Sequence, residues 1–131
     1  MSANTDIIRQ AYDAFARGDV PAVLAVFDDA IEWYAPDELP DGGTYHGPGG
    51  VADFFQSLPK HYAELHVDVD RVLDAGEQVI AEGHHRGRIG DTEFVVGFAH
   101  VWTLAGGKAT RFREYNDSGK LLPLFAAAGV G

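Results

Sequence analysis

The sequence predicts an α+β domain in which helices gather on one face of a mostly antiparallel sheet. In the first half, apolar residues recur at helical spacing between glycine and proline breaks, whereas the second half alternates apolar and polar residues in four segments joined by short turns. Helices followed by an uninterrupted run of strands are typical of α+β architecture. With 131 residues, 46% of them hydrophobic, the chain is expected to fold as a single domain over residues 1–131.

Helices are predicted at three places in the first half and at the C-terminus. Apolar residues from Ile8 to Phe15 recur at helical spacing, and Gly18 ends that helix. Asp19 is placed to cap a short second helix, "VPAVLAVF". A strand, "AIEWYA", then leads into a loop rich in proline and glycine over residues 37–50, and a third helix, "VADFFQSL", follows. The segment "LLPLFAAAG" is a candidate for a short terminal helix.

The four strands of the second half are predicted in "LHVDVDRVL", "VIAEGHHRGRI", "EFVVGFAHVWTL" and "ATRFREYN". Neither face of the long third strand is hydrophilic, so both faces are expected to be covered. Helices would cover one face. A second copy of the chain would cover the other, because monomers rarely leave such a patch in water. We therefore expect a homodimer.

Composition narrows the classes of partner and compartment. The net charge of -10 argues against nucleic-acid binding, which requires a basic surface. The chain has no cysteine, which excludes disulfides and thiolate metal sites and fits a reducing compartment. The N-terminal segment lacks the apolar stretch of a signal peptide, and no apolar run is long enough to span a bilayer. We expect a cytoplasmic protein without membrane or nucleic-acid partners.

Three segments resemble the SnoaL-like branch of the nuclear transport factor 2-like superfamily: "IIRQAYDAFARGDVPAVLAVFDDAIEWYAP", "YHGPGGVADFF" and "KATRFREYNDSGKLLPLFAAAG". This superfamily includes ketosteroid isomerase, limonene-epoxide hydrolase and polyketide cyclases. The resemblance implies a cone-shaped, strongly bent, mostly antiparallel sheet with N-terminal helices on its concave face, a cystatin-like α+β barrel. It also implies an interior pocket and a dimer interface on the convex face. Because chemistry varies across this fold, the fold alone names no reaction.

Catalytic candidates follow from the resemblance and from strand parity, that is, from which of the two faces of a strand each residue points to. "FREYND" is similar to the epoxide-hydrolase pattern "WRDYFD", with Glu114 at the position of the catalytic acid. The same matching places Glu32 and Tyr34 at water-positioning sites and His85 at an acidic catalytic position. The arginine of the hydrolase set is replaced by Gly83, so epoxide hydrolysis is not supported. We predict Glu114 as the main acid or base, His85 as its partner, and Glu32 and Tyr34 as polarising groups.

The remaining candidates form a mostly aromatic wall around a small-molecule site. Burial among phenylalanines is expected to raise the pKa of Glu114, which suits acid/base chemistry near neutral pH. The predicted function is binding of a small, largely apolar molecule with isomerase, lyase, cyclase or hydrolase chemistry, without a cofactor or metal. The predicted substrate-binding residues are Tyr12, Phe15, Phe54, Phe55, Leu58, Val96, Phe98, His100, Phe112 and Asn116.

Several alternatives stay open at the level of sequence. Glu114 could be a structural ion pair, and a β-bulge would turn Asp117 inward in its place. His85 and His100 could be core histidines, and Glu32 could simply bond Tyr34. His84 and His85 are not a metal site by themselves, because neighbouring residues on a strand point to opposite faces. A three-ligand site of His85, His100 and Glu32 is conceivable. The domain could also be a non-catalytic module that binds a hydrophobic ligand or mediates dimerisation.

Overall fold

A computed structural model describes residues 2–129 and confirms the predicted α+β class. The helices are α1 (Ala3–Ala16), α2 (Val20–Leu24), α3 (Gly47–His61) and α4 (Ser118–Ala127). The strands are β1 (Phe27–Ala35), β2 (Gly43–His46), β3 (Glu64–Ala75), β4 (Gln78–Ile89), β5 (Thr92–Ala105) and β6 (Lys108–Asn116). Among the residues described, no helix is both long enough and apolar enough to cross a membrane.

Local signals in the sequence account for the starts of the first two helices. A capping box between Ser2 and Thr5 begins α1: the Ser2 hydroxyl accepts a hydrogen bond from the backbone N–H of Thr5, and the Thr5 hydroxyl accepts one from the backbone N–H of Ser2. The Asp19 carboxylate accepts a hydrogen bond from the backbone N–H of Ala22 and caps α2, as predicted. The second helix is shorter than "VPAVLAVF", because Phe27 already belongs to β1.

The six strands form one sheet in the order β2-β1-β6-β5-β4-β3. All neighbouring pairs are antiparallel except β1 and β6, which run parallel. This pair brings the first strand of the chain next to the last one. The segment 37–50, predicted to be a loop, contains β2, which pairs with β1, and the first turn of α3. The prediction missed β2 because its four residues are too few to show a clear alternation.

A register shift in β3, between Val69 and Arg71, marks a bulge opposite β4. The β4 backbone approaches this bulge so closely that a Cβ atom on Gly83 would lie 2.0 Å from the carbonyl oxygen of Asp68. Only glycine fits there. Bulges bend and twist a strand, so β3 is expected to turn at this point.

The main core lies between the helices and the inner face of the sheet. Trp33 of β1 stacks on Phe112 of β6 with ring centroids 3.7 Å apart, and Trp102 and Phe54 pack against this pair. A second cluster, which includes Val96 and Phe125, packs α4 against β5. The outer face of the sheet carries Val95, which is 64% exposed.

Candidate functional site

A cavity lies between the helices and the inner face of the sheet, with about 80 Å³ of free space. Its half-buried lining residues come from α1, α3 and β3, and include Phe15, Phe55 and Leu58. Pockets for drug-sized ligands usually have ~300 Å³ or more, so a ligand of that size requires these half-buried side chains to move. The apolar lining consists of Ala11, Phe15, Val23, Ala35, Leu39, Phe54, Phe55, Leu58, Leu65, Val67 and Phe112, and the polar and indole groups are Tyr12, Trp33, Asp41, Tyr62, His85, His100, Trp102 and Glu114.

The polar centre of the cavity is formed by β4, β5 and β6. Antiparallel register places His100 opposite Glu114, and both point to the same face as His85. His85 Nε2 lies 2.8 Å from Glu114 Oε2, and the Asn116 amide donates to the same oxygen at 2.6 Å. The side chains of His85 and Glu114 are each 11% exposed. The structure thus brings the predicted pair of Glu114 and His85 into direct contact.

The electrostatics of Glu114 differ from the sequence-based expectation. Burial by itself raises the pKa of Glu114, but the two neighbouring imidazoles, His85 and His100, outweigh burial and hold it well below its usual value. The prediction of a raised pKa was wrong, because it counted the phenylalanines and not the two imidazoles. Glu114 is therefore a carboxylate at neutral pH.

An ionised Glu114 fixes the position of a proton on His85. A carboxylate only accepts hydrogen bonds, so His85 Nε2 must carry the proton in the 2.8 Å contact. The other ring nitrogen, Nδ1, then holds a lone pair when the imidazole is neutral. Within the described residues, this Nδ1 is buried and has no hydrogen-bond partner. The arrangement therefore leaves a basic nitrogen on a cavity residue.

A second hydrogen-bond chain orients His100. The Trp102 indole N–H donates to the Tyr12 hydroxyl oxygen at 2.9 Å, and that hydroxyl lies 2.6 Å from His100 Nδ1. Burial raises the pKa of Tyr12, so the hydroxyl keeps its proton and directs it to His100 Nδ1. Burial also lowers the pKa of His100 despite the opposing effect of Glu114. Neutral His100 then carries its proton on Nε2, 3.7 Å from Glu114 Oε1.

His85, His100 and Glu114 could also be considered as metal ligands, since their ligand atoms all lie within 4.8 Å of one another. Two imidazoles and one carboxylate are a known ligand set for iron and zinc. Both Nε2 atoms would need to lose their protons, and Glu114 Oε2 already accepts hydrogen bonds from His85 and Asn116. The observed contacts form a hydrogen-bonded network that a metal would have to dismantle. The alternative set with Glu32 does not form.

Glu32 and Tyr34 do not reach the cavity, so their predicted inward placement was wrong. In the parallel pairing of β1 with β6, Trp33 is in register with Phe112, which puts Trp33 inside and its neighbours outside. Glu32 is exposed, and the Tyr34 ring lies under the Arg113 guanidinium at 4.3 Å. The alternation of Ile31, Trp33 and Ala35 along the strand predicts this inward placement of Trp33, and the family pattern does not hold at these positions.

Other predicted residues share the inner face without lining the cavity. Val96 belongs to the second core cluster, and the Phe98 ring stacks on the His100 ring with centroids 3.9 Å apart. Asn116 acts through its bond to Glu114. Glu114, and not Asp117, lines the cavity. The Asp117 side chain is 58% exposed and its carboxylate lies 3.7 Å from the Lys120 ammonium. The residues that the prediction placed in the cavity wall and that do line it are Tyr12, Phe15, Phe54, Phe55, Leu58, His100 and Phe112.

Sequence reasoning missed two polar residues of the cavity, Asp41 and Tyr62. Asp41 lies in the loop between β1 and β2, and Tyr62 directly follows α3. Burial, Asp41 and Glu114 all raise the pKa of Tyr62, so its hydroxyl stays protonated. Loops and helix ends have no periodicity to show which way a side chain points, and no signal in the sequence identified either residue.

Comparison with known proteins agrees with this fold. The family model described as the SnoaL-like domain matches residues 8–112. The chain belongs to the SnoaL-like family. The match to this SnoaL-like domain includes His85 and His100 and stops before Glu114 and Asn116.

Three solved structures are similar in fold to this SnoaL-like domain. An NTF2-like protein of unknown function from Burkholderia pseudomallei is 32% identical, with a TM-score of 0.89 over 95% of this chain and 98% of that chain. TerC, co-crystallised with polyporic acid, is 25% identical, with a TM-score of 0.88 over 95% and 99% of the two chains. A putative SnoaL-like polyketide cyclase from Jannaschia shares the fold at 15% identity, with a TM-score of 0.80 over 95% and 92%.

Proposed function

We propose that this SnoaL-like domain binds a small, largely apolar molecule in the cavity and performs cofactor-independent acid/base chemistry on it. The observation that carries the proposal is the 2.8 Å contact between His85 and ionised Glu114 on a mostly apolar cavity wall. A structural neighbour, TerC, was crystallised with polyporic acid, which supports ligand binding by this fold. Apolar walls with a few convergent polar groups are typical of small-molecule sites.

The proposed roles of His85 and Glu114 are the reverse of those expected from sequence. His85 is the general base, because its Nδ1 holds a lone pair while Nε2–H is bound to Glu114. Glu114 is the orienting group: it selects the tautomer of His85 and stabilises the imidazolium formed when Nδ1 takes a proton. Asn116 donates a second hydrogen bond to Glu114 Oε2, and His100 Nε2 faces the other carboxylate oxygen at 3.7 Å.

The reaction supported best is proton abstraction from a carbon next to a carbonyl group. His85 Nδ1 would take that proton, and the electron pair of the broken C–H bond would move onto the carbonyl oxygen as an enolate. Tyr62 lines the cavity with a hydroxyl that keeps its proton, and would donate a hydrogen bond to the enolate oxygen. Return of the proton to another carbon gives isomerisation, loss of a neighbouring group gives elimination, and attack on a second carbonyl gives cyclisation.

Deuterium exchange tests this chemistry without knowledge of the natural substrate. The probe is 2-tetralone, a small apolar ketone whose α-protons exchange measurably in D2O by proton NMR. The protein is expected to accelerate exchange, His85→Gln to abolish the acceleration, and Glu114→Gln to lower it ~10²–10⁴-fold, the range of general-base effects. Glu32→Gln and Tyr34→Phe are matched controls on the outer face and should keep the full rate.

A second function, ligand binding without catalysis, is favoured by the small free space of about 80 Å³ and by the burial of His85 Nδ1. The same experiment separates the two. If 2-tetralone shifts the resonances of cavity residues and its exchange is no faster than with His85→Gln, the catalytic proposal fails and the binding function stands.

The outer face of the sheet supports a proposal of homodimerisation. Val95 is 64% exposed and Tyr115 is 50% exposed on adjacent strands, and the half-buried Ala99 and Val101 lie on the same face. Single exposed apolar residues are common, but a continuous row on one sheet face is typical of an interface between copies. The dimer would leave the cavity, on the opposite face, open to ligand.

A further inference from the structure

The cavity contains a second acidic group, Asp41, that the proposed chemistry does not use. Asp41 is 6% exposed, and its Oδ1 atom is buried without a hydrogen-bond partner among the residues described. Buried polar atoms are nearly always paired in native proteins, so an unpaired carboxyl oxygen on a cavity residue requires an explanation. A partner supplied by a bound molecule is one such explanation.

The loop around Asp41 is fixed without help from its carboxyl group. The Tyr45 hydroxyl donates to the Asp41 backbone carbonyl at 2.8 Å, and the N–H of Gly42 donates to the carbonyl of Leu39 at 2.9 Å. A Cβ atom on Gly42 would lie 2.0 Å from the carbonyl oxygen of Pro36, so only glycine allows this turn. The main chain therefore carries the Asp41 side chain to the cavity, and the side chain is not needed to hold the loop.

The charges near Asp41 do not neutralise it. Burial raises the pKa of Asp41, its own backbone N–H and the imidazole of His61 lower it, and Glu114 and His85 add smaller effects of opposite sign. No cation forms a salt bridge with Asp41 in the part of the chain that is described. An unpaired buried carboxyl destabilises the empty protein, and a ligand group that bonds to it would remove that cost.

A second unpaired polar atom belongs to another residue of the cavity wall. Trp33 is 5% exposed, lines the same cavity and has a buried indole Nε1–H without an acceptor among the described residues. The indole N–H can only donate, and a carboxylate can only accept. A hydroxyl group is the simplest chemical group that satisfies both kinds of partner, since it donates one hydrogen bond and accepts others.

We propose that the two unpaired groups of the cavity wall that the proposed chemistry does not use, the Asp41 carboxyl oxygen and the Trp33 indole N–H, recognise a hydroxyl group on the ligand. The molecule taken is then an apolar ring compound that carries a hydroxyl. The inference rests on the proposed function only in requiring that a small molecule enters the cavity, and it does not depend on catalysis by His85.

Two probes that differ only in the group concerned test this inference. p-Cresol and p-xylene have the same shape, with a hydroxyl in one where the other has a methyl group. Their dissociation constants are measured by NMR titration, with the indole N–H resonance of Trp33 as a local reporter. The decisive quantity is the ratio of the two constants, because the ratio cancels changes in cavity packing that affect both probes.

Asp41→Leu replaces the carboxyl by an apolar group of similar size. It is expected to shift the ratio at least ~10-fold against p-cresol, since sites built to bond a hydroxyl discriminate strongly against its absence. Glu32→Gln and Tyr34→Phe, on the outer face, should leave the ratio unchanged. The two probes report binding and not proton exchange, so a failure here is distinguishable from a failure of the proposed chemistry. An unchanged ratio in Asp41→Leu, or no binding of either probe at millimolar concentration, would overturn it.

Stability provides a second readout and guards against a misfolded variant. Asp41→Leu should melt at the same temperature as the natural sequence or higher, because it removes an unpaired buried carboxyl. Should it fail to fold, Asp41→Ala and Trp33→Phe provide the same ratio measurement with smaller side chains. A ratio unchanged in both would equally overturn the inference.

Discussion

Replacing Glu114 by Gln removes a buried negative charge while keeping the shape of the side chain. In the folded protein this carboxylate receives bonds from His85 at 2.8 Å and Asn116 at 2.6 Å, with His100 at 3.7 Å. A glutamine side chain has only one acceptor oxygen. Its amide N–H groups would face the N–H donors of the neighbouring His85 and Asn116. His85 can relieve this conflict by moving its proton to Nδ1, which removes the proposed base.

The expected cost follows from these contacts. Hydrogen bonds to charged groups contribute about 1.5–3 kcal/mol each, and the glutamine oxygen can keep one of the two short bonds. The free energy of unfolding at pH 7 should therefore fall by about 2 kcal/mol. For a domain of this size, that corresponds to a decrease in melting temperature of roughly 6–8 °C.

The pH dependence has a defined sign. The pKa of Glu114 in the folded state lies well below its ordinary value of 4.5, so its stabilisation is complete above pH 4.5 and is lost as the pH falls through the folded-state pKa. Urea denaturation of both proteins at several pH values between 7 and 3 measures this. The difference between them should be largest at pH 7 and should shrink as the carboxylate of the natural sequence becomes protonated.

Glu32→Gln is the matched control, since Glu32 is exposed on the outer face and its replacement should change stability by less than ~0.5 kcal/mol. The electrostatic argument for Glu114 is refuted if Glu114→Gln is as stable as the natural sequence at pH 7. It is also refuted if the difference does not change with pH, because a purely steric effect would be independent of protonation.

Two further predictions concern the outer face and the histidine cluster. Light scattering should find two chains per particle for the natural sequence and one for Val95→Glu, since a charge at this 64% exposed site would be buried without a partner in the interface; a natural sequence that is monomeric at micromolar concentration contradicts the dimer. Zinc or EDTA should change neither the melting temperature nor the exchange of 2-tetralone, because a metal ion bound here would displace the hydrogen bonds that Glu114 Oε2 accepts from His85 and Asn116. One zinc per chain by elemental analysis, together with a higher melting temperature, would instead assign these residues to a metal centre.

Strand parity worked where apolar and polar residues alternate without interruption. The alternation around Phe112 correctly placed Glu114 on the inner face of β6, and Asp117 falls outside the cavity because no bulge intervenes between Phe112 and Asn116. On β1 the same alternation places Trp33 inward, so Glu32 and Tyr34 lie outside although the family pattern puts their positions in the pocket.

The sequence by itself determined the fold class, the approximate positions of the helices and of five of the six strands, and most of the aromatic wall, because these depend on periodicity along the chain. Only the tertiary structure decided the charge of Glu114, which depends on imidazoles contributed by two other strands. It alone also brought Asp41 and Tyr62 to the cavity, since a loop and a helix end have no repeating pattern. Through-space contacts set the electrostatics of the site, and spacing along one chain does not encode them.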